Sequence, residues 1–378
     1  MIRVALIGTG GISLANHVPG IALCPDARIV ALCDVSEEAL ARASQATGVT
    51  RTSCDPIATA REDGIDAVII ATPNHVHRDI AIAAIATGKH VLCEKPIAMN
   101  VAQAREMVEA AERAGVRHMT AFTYRFVPAM RYLKHLVSSG ALGEPVHFRA
   151  QRFQDWGRRY LAWRQRAEFA GTGELGDMLS HRLDYGHYLI GQFAQVSALM
   201  RQIVPTRTDA AGVEHPADVE DWVACIGTFR SGATACLEST KVATGRGDGA
   251  TGHDLCEVNG TEASAAYRLG DPHHILFGKK GGLFERVPVP EEFLKEPGSP
   301  RNPHEGDPLM GFRYDQTWRF LQSILDGTPV EPSFRAGLDA QIVMEAIAAS
   351  AASGRLVDVS YDAAARAGAA VPEAGMRS

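Results

Sequence analysis

A run of glycines between a strand and a helix constrains this chain more than any other feature. Residues 3–7 are β-like, and Gly8-Thr9-Gly10-Gly11-Ile12-Ser13 follows them and opens a helix. A second apolar run, 29–33, ends in Asp34. Each part has a physical task. Gly8 allows the tight turn out of the strand. Gly10 has no side chain, so a pyrophosphate can approach the backbone, and the helix N-terminus offers it free N–H groups and a positive dipole end. Asp34 is placed to accept hydrogen bonds from a ribose diol, and its charge would repel a 2′-phosphate, which points to NAD. Ser13 occupies the third glycine position.

The alternation continues. Helices are expected at 37–47, 75–86 and 101–114, with strands at 66–71, 90–93 and 116–122 between and after them. Strands separated by helices imply parallel β-α-β units and a doubly wound sheet. Beyond Phe126 the pattern changes. Helices at 128–138 and 175–189 flank a strand at 145–153. Strands at 222–229, 233–241, 256–259 and 263–267 then follow without helices between them, with a hairpin around Gly281-Gly282. Helices near 311–325 and 336–353 close the chain. The fold class is therefore α/β plus α+β: a Rossmann domain over 1–122, and a domain over 123–360 on a large, mostly antiparallel open sheet. Residues 361–378 read as a flexible Ala-rich tail. Apolar strands with no helices to cover both faces predict a homodimer or homotetramer.

Composition narrows the function. A chain of 378 residues is too long for one ordinary core. With 46% apolar and 22% charged residues, a net charge of −6 and no basic block, it is expected to bind neither nucleic acid nor a membrane surface. No stretch approaches the roughly 20 apolar residues of a membrane span, and the first strand begins at once, so no signal peptide is expected. Seven scattered cysteines without a C-x-x-C pair read as reduced thiols of a cytoplasmic protein.

Polar clusters fall at the carboxyl ends of the predicted strands, where open parallel sheets bind ligands. Thr72-Pro73-Asn74-His75-Val76-His77 follows one strand; it is either a set of cofactor contacts or a proline turn with Asn74 capping the next helix. Glu94-Lys95-Pro96 follows another, as a cofactor-side cation or a solvated ion pair. Asp177, His181 and Asp184 stand at i, i+4 and i+7 of one helix. An Asp one turn from a His can orient the imidazole and stabilise its charged form for proton transfer; a surface pair is the alternative. No further metal ligands accompany them, and no metal is expected. Gln154, Trp156, Trp163 and Arg164 suit stacking on a sugar face and bonding its hydroxyls; core packing of the tryptophans is the alternative. Tyr124 leaves the last strand of the first domain at the same cleft.

These motifs together resemble the glucose–fructose oxidoreductase/inositol dehydrogenase (Gfo/Idh/MocA) family over nearly the whole chain. The resemblance rests on the Gly8 fingerprint, A-T-P-N-H-x-H at 71–77, E-K-P at 94–96, Y-R-F-x-P at 124–128, W-R at 163–164 and G-x-L-G-D-x-x-x-H-x-x-D at 173–184. Within the family, the Q-D-W…W-R…G-x-L-G-D stretch is similar to levoglucosan dehydrogenase-like and inositol or pyranoside dehydrogenases. Thr123 stands where members usually have Asn, and Leu179 where they often have Gly. The resemblance implies a catalytic set of Lys95, Asp177 and His181. Cofactor contacts are expected from Gly8, Thr9, Gly10, Gly11, Ile12, Asp34, Thr72, Pro73, Asn74, His77, Glu94, Lys95, Trp163 and Arg164. Substrate contacts are expected from Tyr124, Gln154, Trp156, Asp177 and His181. The implied reaction is hydride transfer between NAD and a ring hydroxyl of a sugar, anhydrosugar or cyclitol. A glycoside hydrolase or lyase using bound NAD as a transient oxidant, and a sugar-sensing regulator, are the other readings; regulators tend to lose the Lys or His kept here.

Overall fold

A computed structural model describes residues 1–158, 161–247 and 252–362. The first unit is a six-stranded parallel sheet of β1 (Ile2–Ile7), β2 (Ala27–Cys33), β3 (Thr52–Ser53), β4 (Ala67–Ile70), β5 (His90–Cys93) and β6 (His118–Thr120), in the order β3-β2-β1-β4-β5-β6. Its helices are α1 (Val18–Ala22), α2 (Glu37–Thr47), α3 (Pro56–Arg61), α4 (His77–Ile85) and α5 (Val101–Ala114). The central strands β1 and β4 are buried at every residue but Arg3, as helices on both faces require. Local chemistry sets the helix limits. The Ser36 hydroxyl caps α2 by accepting from Ala39 N–H, with Glu37 and Glu38 in the first turn. Asn100 caps α5 the same way through Gln103 N–H.

The second unit begins with α6 (Pro128–Ser138) and β7 (Pro145–Phe153), continues through the short α7 (Ala167–Ala170) and α8 (Ser180–Leu189), and is built on nine strands. These are β7, β8 (Phe193–Arg201), then, after a separate two-stranded pair β9 (Thr206–Thr208) and β10 (Glu214–Pro216), β11 (Trp222–Phe229), β12 (Thr234–Thr240), β13 (His253–Gly260), β14 (Ala263–Arg268), β15 (His274–Lys279), β16 (Glu285–Pro288) and β17 (Val357–Asp358). The order is β16-β15-β14-β13-β7-β12-β11-β8-β17, antiparallel throughout except where β7 meets β12. The expected mostly antiparallel sheet is present, and β8, β9, β10 and β17 are strands the sequence pattern does not announce. α6, α8 and α10 (Phe334–Ser353) cover one face of this sheet. Among the described residues no helix covers the other, where Leu199 and Ile226 are each 62% exposed. No helix among them is long and apolar enough to cross a membrane.

The two closing helices straddle both units. α9 (Gly311–Asp326) packs on α1, and α10 packs on α5 as well as on β8. Side chains pin these crossings. The Thr317 hydroxyl lies 2.8 Å from His17 Nδ1. Val101 N–H donates to Glu345 Oε1 at 2.6 Å and Phe334 N–H to His118 Nδ1 at 3.1 Å. Tyr361, read as the start of the tail, is instead anchored: its hydroxyl lies 2.8 Å from His187 Nε2 and accepts from Phe193 N–H at 3.0 Å. The rest of the expected tail, 363–378, lies outside the described residues.

The turn after β1 tolerates no side chain. Gly8 has φ of +89°, and a Cβ there would lie 2.4 Å from the Ala71 carbonyl oxygen. Gly8→Ala should therefore destabilise the protein by roughly 2 kcal/mol or more, since both the dihedral and the backbone contact must shift. Thermal or chemical unfolding measures it; an unchanged midpoint would refute this account of the turn.

Candidate active site

A cavity of about 1010 Å³ opens at the carboxyl ends of the parallel strands and is walled by both units. The glycine turn forms one end. A Cβ on Gly10 or Gly11 would meet nothing within 4 Å, so the backbone there faces open space. The Ser13 hydroxyl, at the third fingerprint position, donates to the Gly8 carbonyl and braces the turn that a glycine would leave looser. The following turn, Ser13–His17, is a widened π-turn.

Asp34 borders the cavity with Gly10, Gly11 and Ile12. Thr9 does not. Its side chain is buried, its N–H donates to Asp34 Oδ2 at 2.7 Å and its hydroxyl lies 3.1 Å from the same oxygen. Ser36 N–H holds the other oxygen at 3.0 Å. Thr9 thus aims the acid rather than touching a ligand, because the tight turn points it back toward β2. The glycine cradle, the aimed carboxylate and the cavity volume together fit a dinucleotide with an unphosphorylated ribose.

Thr72, Pro73 and Asn74 line the next stretch. Asn74 also donates from Nδ2 to Ala170 O at 2.9 Å, joining the two units rather than capping α4. His77, expected at the cofactor, is fully buried behind the wall. Its ring nitrogens lie 3.0 Å from the Thr72 and Pro96 carbonyls, so it ties the β4 and β5 loops together. Burial lowers its pKa against the pull of both carbonyls. His75 takes the lining position instead, its ring packed edge-on to Phe169 at 5.0 Å. The tandem His of the motif carries a signal for either residue; α4 begins at His77 and turns that side chain inward.

Glu94, Lys95, Tyr124, Trp163, Arg164, Asp177 and His181 all border the far end of the cavity. Glu94 is held by His17 Nε2 at 3.2 Å. Burial works to raise its pKa, but His17 and Lys95 bring it below the usual range. Lys95 Nζ donates to Asp177 Oδ1 at 3.1 Å and also to the Asp177 main-chain carbonyl. Arg164, stacked 4.3 Å above the Trp163 ring, adds a second cation 3.8 Å from the same carboxylate. Against the effect of burial, Lys95 first, then Arg164 and Lys241, pull Asp177 down to about 2.

The charge of Asp177 is therefore committed to Lys95, and no hydrogen bond joins it to His181. The expected Asp–His pair is not formed, although both side chains reach the same cavity. His181 Nδ1 is buried without a partner. Burial, and then Lys95, Arg182, Arg313 and Arg152, push the imidazole well below its ordinary pKa. It is a neutral ring, able to accept a proton. Tyr124 packs on it with centroids 4.6 Å apart. Burial would raise the Tyr124 phenol, but Arg313, Arg152 and Arg182 together lower it. Asp184 leaves the site altogether: it is buried and paired with Arg125 at 2.6 Å.

Gln154 and Trp156 do not line this cavity. They stand where β7 meets the end of β12, with Gln154 N–H donating to Thr240 O at 2.8 Å and Lys241 Nζ 5.7 Å from the Trp156 ring centre. Phe169 and Arg313 border the cavity without any motif to announce them, Arg313 arriving from α9.

Glu174 lies buried one turn before Asp177 and accepts from the Ser239 hydroxyl. Burial, reinforced by Asp177, raises its pKa to about 8. A raised native pKa means that the folded protein keeps a proton the unfolded chain has released. This contribution is full below the ordinary carboxyl value of about 4.3 and is lost as pH rises toward the native value. Glu174→Gln should accordingly gain stability relative to wild type between about pH 5 and about pH 8, at up to roughly 1.4 kcal/mol per pH unit. Denaturant unfolding across that range reads the difference; a constant offset would contradict it.

Comparison with known proteins agrees with this geometry. Residues 2–122 match the model of an oxidoreductase family with an NAD-binding Rossmann fold, and residues 130–266 match the GFO/IDH/MocA C-terminal domain. The chain is 31% identical to levoglucosan dehydrogenase of Pseudarthrobacter phenanthrenivorans, over 95% of this chain and 98% of that protein. It is 28% identical to scyllo-inositol 2-dehydrogenase (NAD(+)) of Bacillus subtilis, over 76% and 80%. Among solved structures, levoglucosan dehydrogenase in complex with NADH and levoglucosan superposes with a TM-score of 0.85 at 30% identity, covering 95% of this chain and 99% of that one. The same enzyme with NADH and L-sorbose gives 0.87, also at 30% identity and over the same shares of both chains. The chain belongs to the Gfo/Idh/MocA family of oxidoreductases, and its first unit is that family's NAD-binding domain.

Proposed function

We propose that this protein is an NAD-dependent dehydrogenase acting on a ring hydroxyl of a sugar, anhydrosugar or cyclitol, and reducing the corresponding ketone in the reverse direction. The meeting of Lys95 with Asp177 and His181 on one wall of the dinucleotide cleft carries this reading. The relatives named for levoglucosan and scyllo-inositol oxidation support the substrate class.

The roles follow from the contacts. Two of the three N–H bonds of the Lys95 ammonium are directed at Asp177, which leaves one for the substrate oxygen. That bond stabilises the negative charge growing on the oxygen as oxidation proceeds. His181, neutral and at the cavity wall, takes the hydroxyl proton. Asp177 holds Lys95 in place. NAD, when bound, supplies the hydride acceptor. Trp163, Arg164 and Tyr124 shape the wall against which the ring must lie.

A panel of sugars and cyclitols assayed for NADH formation tests the reading. Lys95→Ala and His181→Ala should each lower kcat by roughly 10²-fold or more. Because His181 is held below its ordinary value of about 6.5, kcat/KM for oxidation should be level near neutrality and fall on the acid side of that value. A His181→Ala enzyme with near-normal kcat would remove His181 from the mechanism.

We further propose that the uncovered face of the nine-stranded sheet pairs with a second copy, giving a dimer or tetramer. Leu199 on β8 stands opposite Ala224 on β11, two residues from Ile226, so the exposed apolar side chains share that face. All seven cysteines are unpaired thiols, which suits a reducing cytoplasm. Light scattering at micromolar concentration should give a multiple of the chain mass, and the double variant Leu199→Arg, Ile226→Arg should reduce it; a wild-type monomer would refute the pairing.

A further inference from the structure

The charged groups lining the cavity are almost all matched. Arg42 meets Glu38, and Lys95 and Arg164 meet Asp177. Glu94 is held by His17, and Asp34 by the N–H groups of Thr9 and Ser36. Arg313 is the exception. It lines the cavity, is half-buried, and forms no ion pair among the described residues.

Its guanidinium is nevertheless well placed. Nε donates to the Leu309 carbonyl at 3.2 Å. The guanidinium carbon sits 5.3 Å from the Tyr124 ring centre and 5.2 Å from that of Phe312. Stacking uses the flat face of the group and leaves its outer edge; Nη1 and Nη2 make no hydrogen bond to a described residue. Tyr124 packs in turn on His181, so the unused edge stands one aromatic ring away from the candidate proton acceptor. Arg182 lies on the same ring, 5.5 Å from its centre, and spends its charge on Asp254. An arginine stays charged at any working pH. In a half-enclosed cavity, a neutral hydroxyl would satisfy an N–H but leave that charge unmatched, whereas a planar or tetrahedral oxyanion takes two N–H bonds and the charge together.

We infer that Arg313 is a specificity residue that receives an anionic group, a carboxylate or a phosphate, carried by the sugar or cyclitol whose hydroxyl is oxidised. This rests on the dehydrogenase reading above. It narrows the substrate from polyols in general to acidic ones, and makes Arg313 the reader of the acidic group.

The test sets neutral rings beside their acidic counterparts: D-glucose with D-glucuronate and D-glucose 6-phosphate, D-galactose with D-galacturonate, and myo-inositol with its monophosphates, each with NAD. The acidic member of at least one pair should exceed its neutral partner in kcat/KM by roughly 10- to 100-fold, the scale of a charge-assisted, two-bond contact. The uronate and phosphate arms tell which anion fits. R313Q should collapse that ratio by at least tenfold, and R313K, which keeps the charge but not the fork, should retain part of it; thermal unfolding of both variants guards against loss of fold. Turnover of neutral rings as good as that of every acidic partner, or an unchanged ratio in R313Q and R313K, would overturn the inference and leave the dehydrogenase reading standing. No NADH from any member, nor from the panel of sugars, anhydrosugars and cyclitols above, would overturn that reading and this inference with it.

Discussion

The contact between Lys95 and Asp177 joins the two units at the one place where both must be correct. Lys95 leaves the end of β5, and Asp177 comes from the turn just before α8. Both side chains are largely shielded from water, at 14% and 16% exposure. Removing two such charges from solvent is costly unless their mutual attraction and further hydrogen bonds offset it. Here the ammonium receives two oxygens of one residue and the carboxylate faces a second cation, Arg164. The arrangement holds only if the glycine turn, the β5 loop and α8 are brought to one cleft, so the site depends on the whole interface between the units.

That interface is built by helices that belong to neither unit alone. α9 and α10 come last in the chain and pack back on α1 and α5. Thr317 fixes His17, His17 fixes Glu94, and Glu94 is the neighbour of Lys95. A polar chain thus runs from the C-terminal helices to the reacting end of the cavity. Asn74 and His77 do comparable work on the other wall, one joining the units and the other tying two loops. Residues that looked like ligand contacts in the sequence are in several cases the fasteners of those contacts.

Electrostatics divides the buried acids by their company. Asp184 has Arg125, and Asp254 has Arg182 and Arg152. Glu174 forms no ion pair among the described residues, and burial raises its pKa to about 8. Asp177, three residues on, is driven to about 2 by the cations around it. Burial first, then Lys95 with Arg182, Arg313 and Arg152, deprives His181 of its charge. The one cleft therefore holds both an ionised carboxylate and a neutral imidazole, the two states that proton transfer from a hydroxyl requires.

The local grammar of the chain was legible without a structure. Glycine placement, apolar runs and caps marked the Rossmann strands and helices other than β3 and α3, and Asp34, Lys95 and the Asp177–His181 spacing marked the candidate site, because each depends on neighbours within a few residues. Strands β8 and β17 were not marked, since their pairing rests on partners far along the chain. What the tertiary structure alone decided was the pairing of polar groups. Spacing put Asp177 one turn from His181, yet the carboxylate went to Lys95, 82 residues away. Spacing could not tell His75 from His77, Thr9 from its glycine neighbours, or Trp156, which stands away from the cavity, from Trp163, which lines it. Nor could it reach Arg313, which arrives at the cavity only because α9 folds back across both units. Periodicity reports which face of an element is apolar; which charge a buried charge will meet is set by the low-dielectric surroundings that only the assembled fold creates.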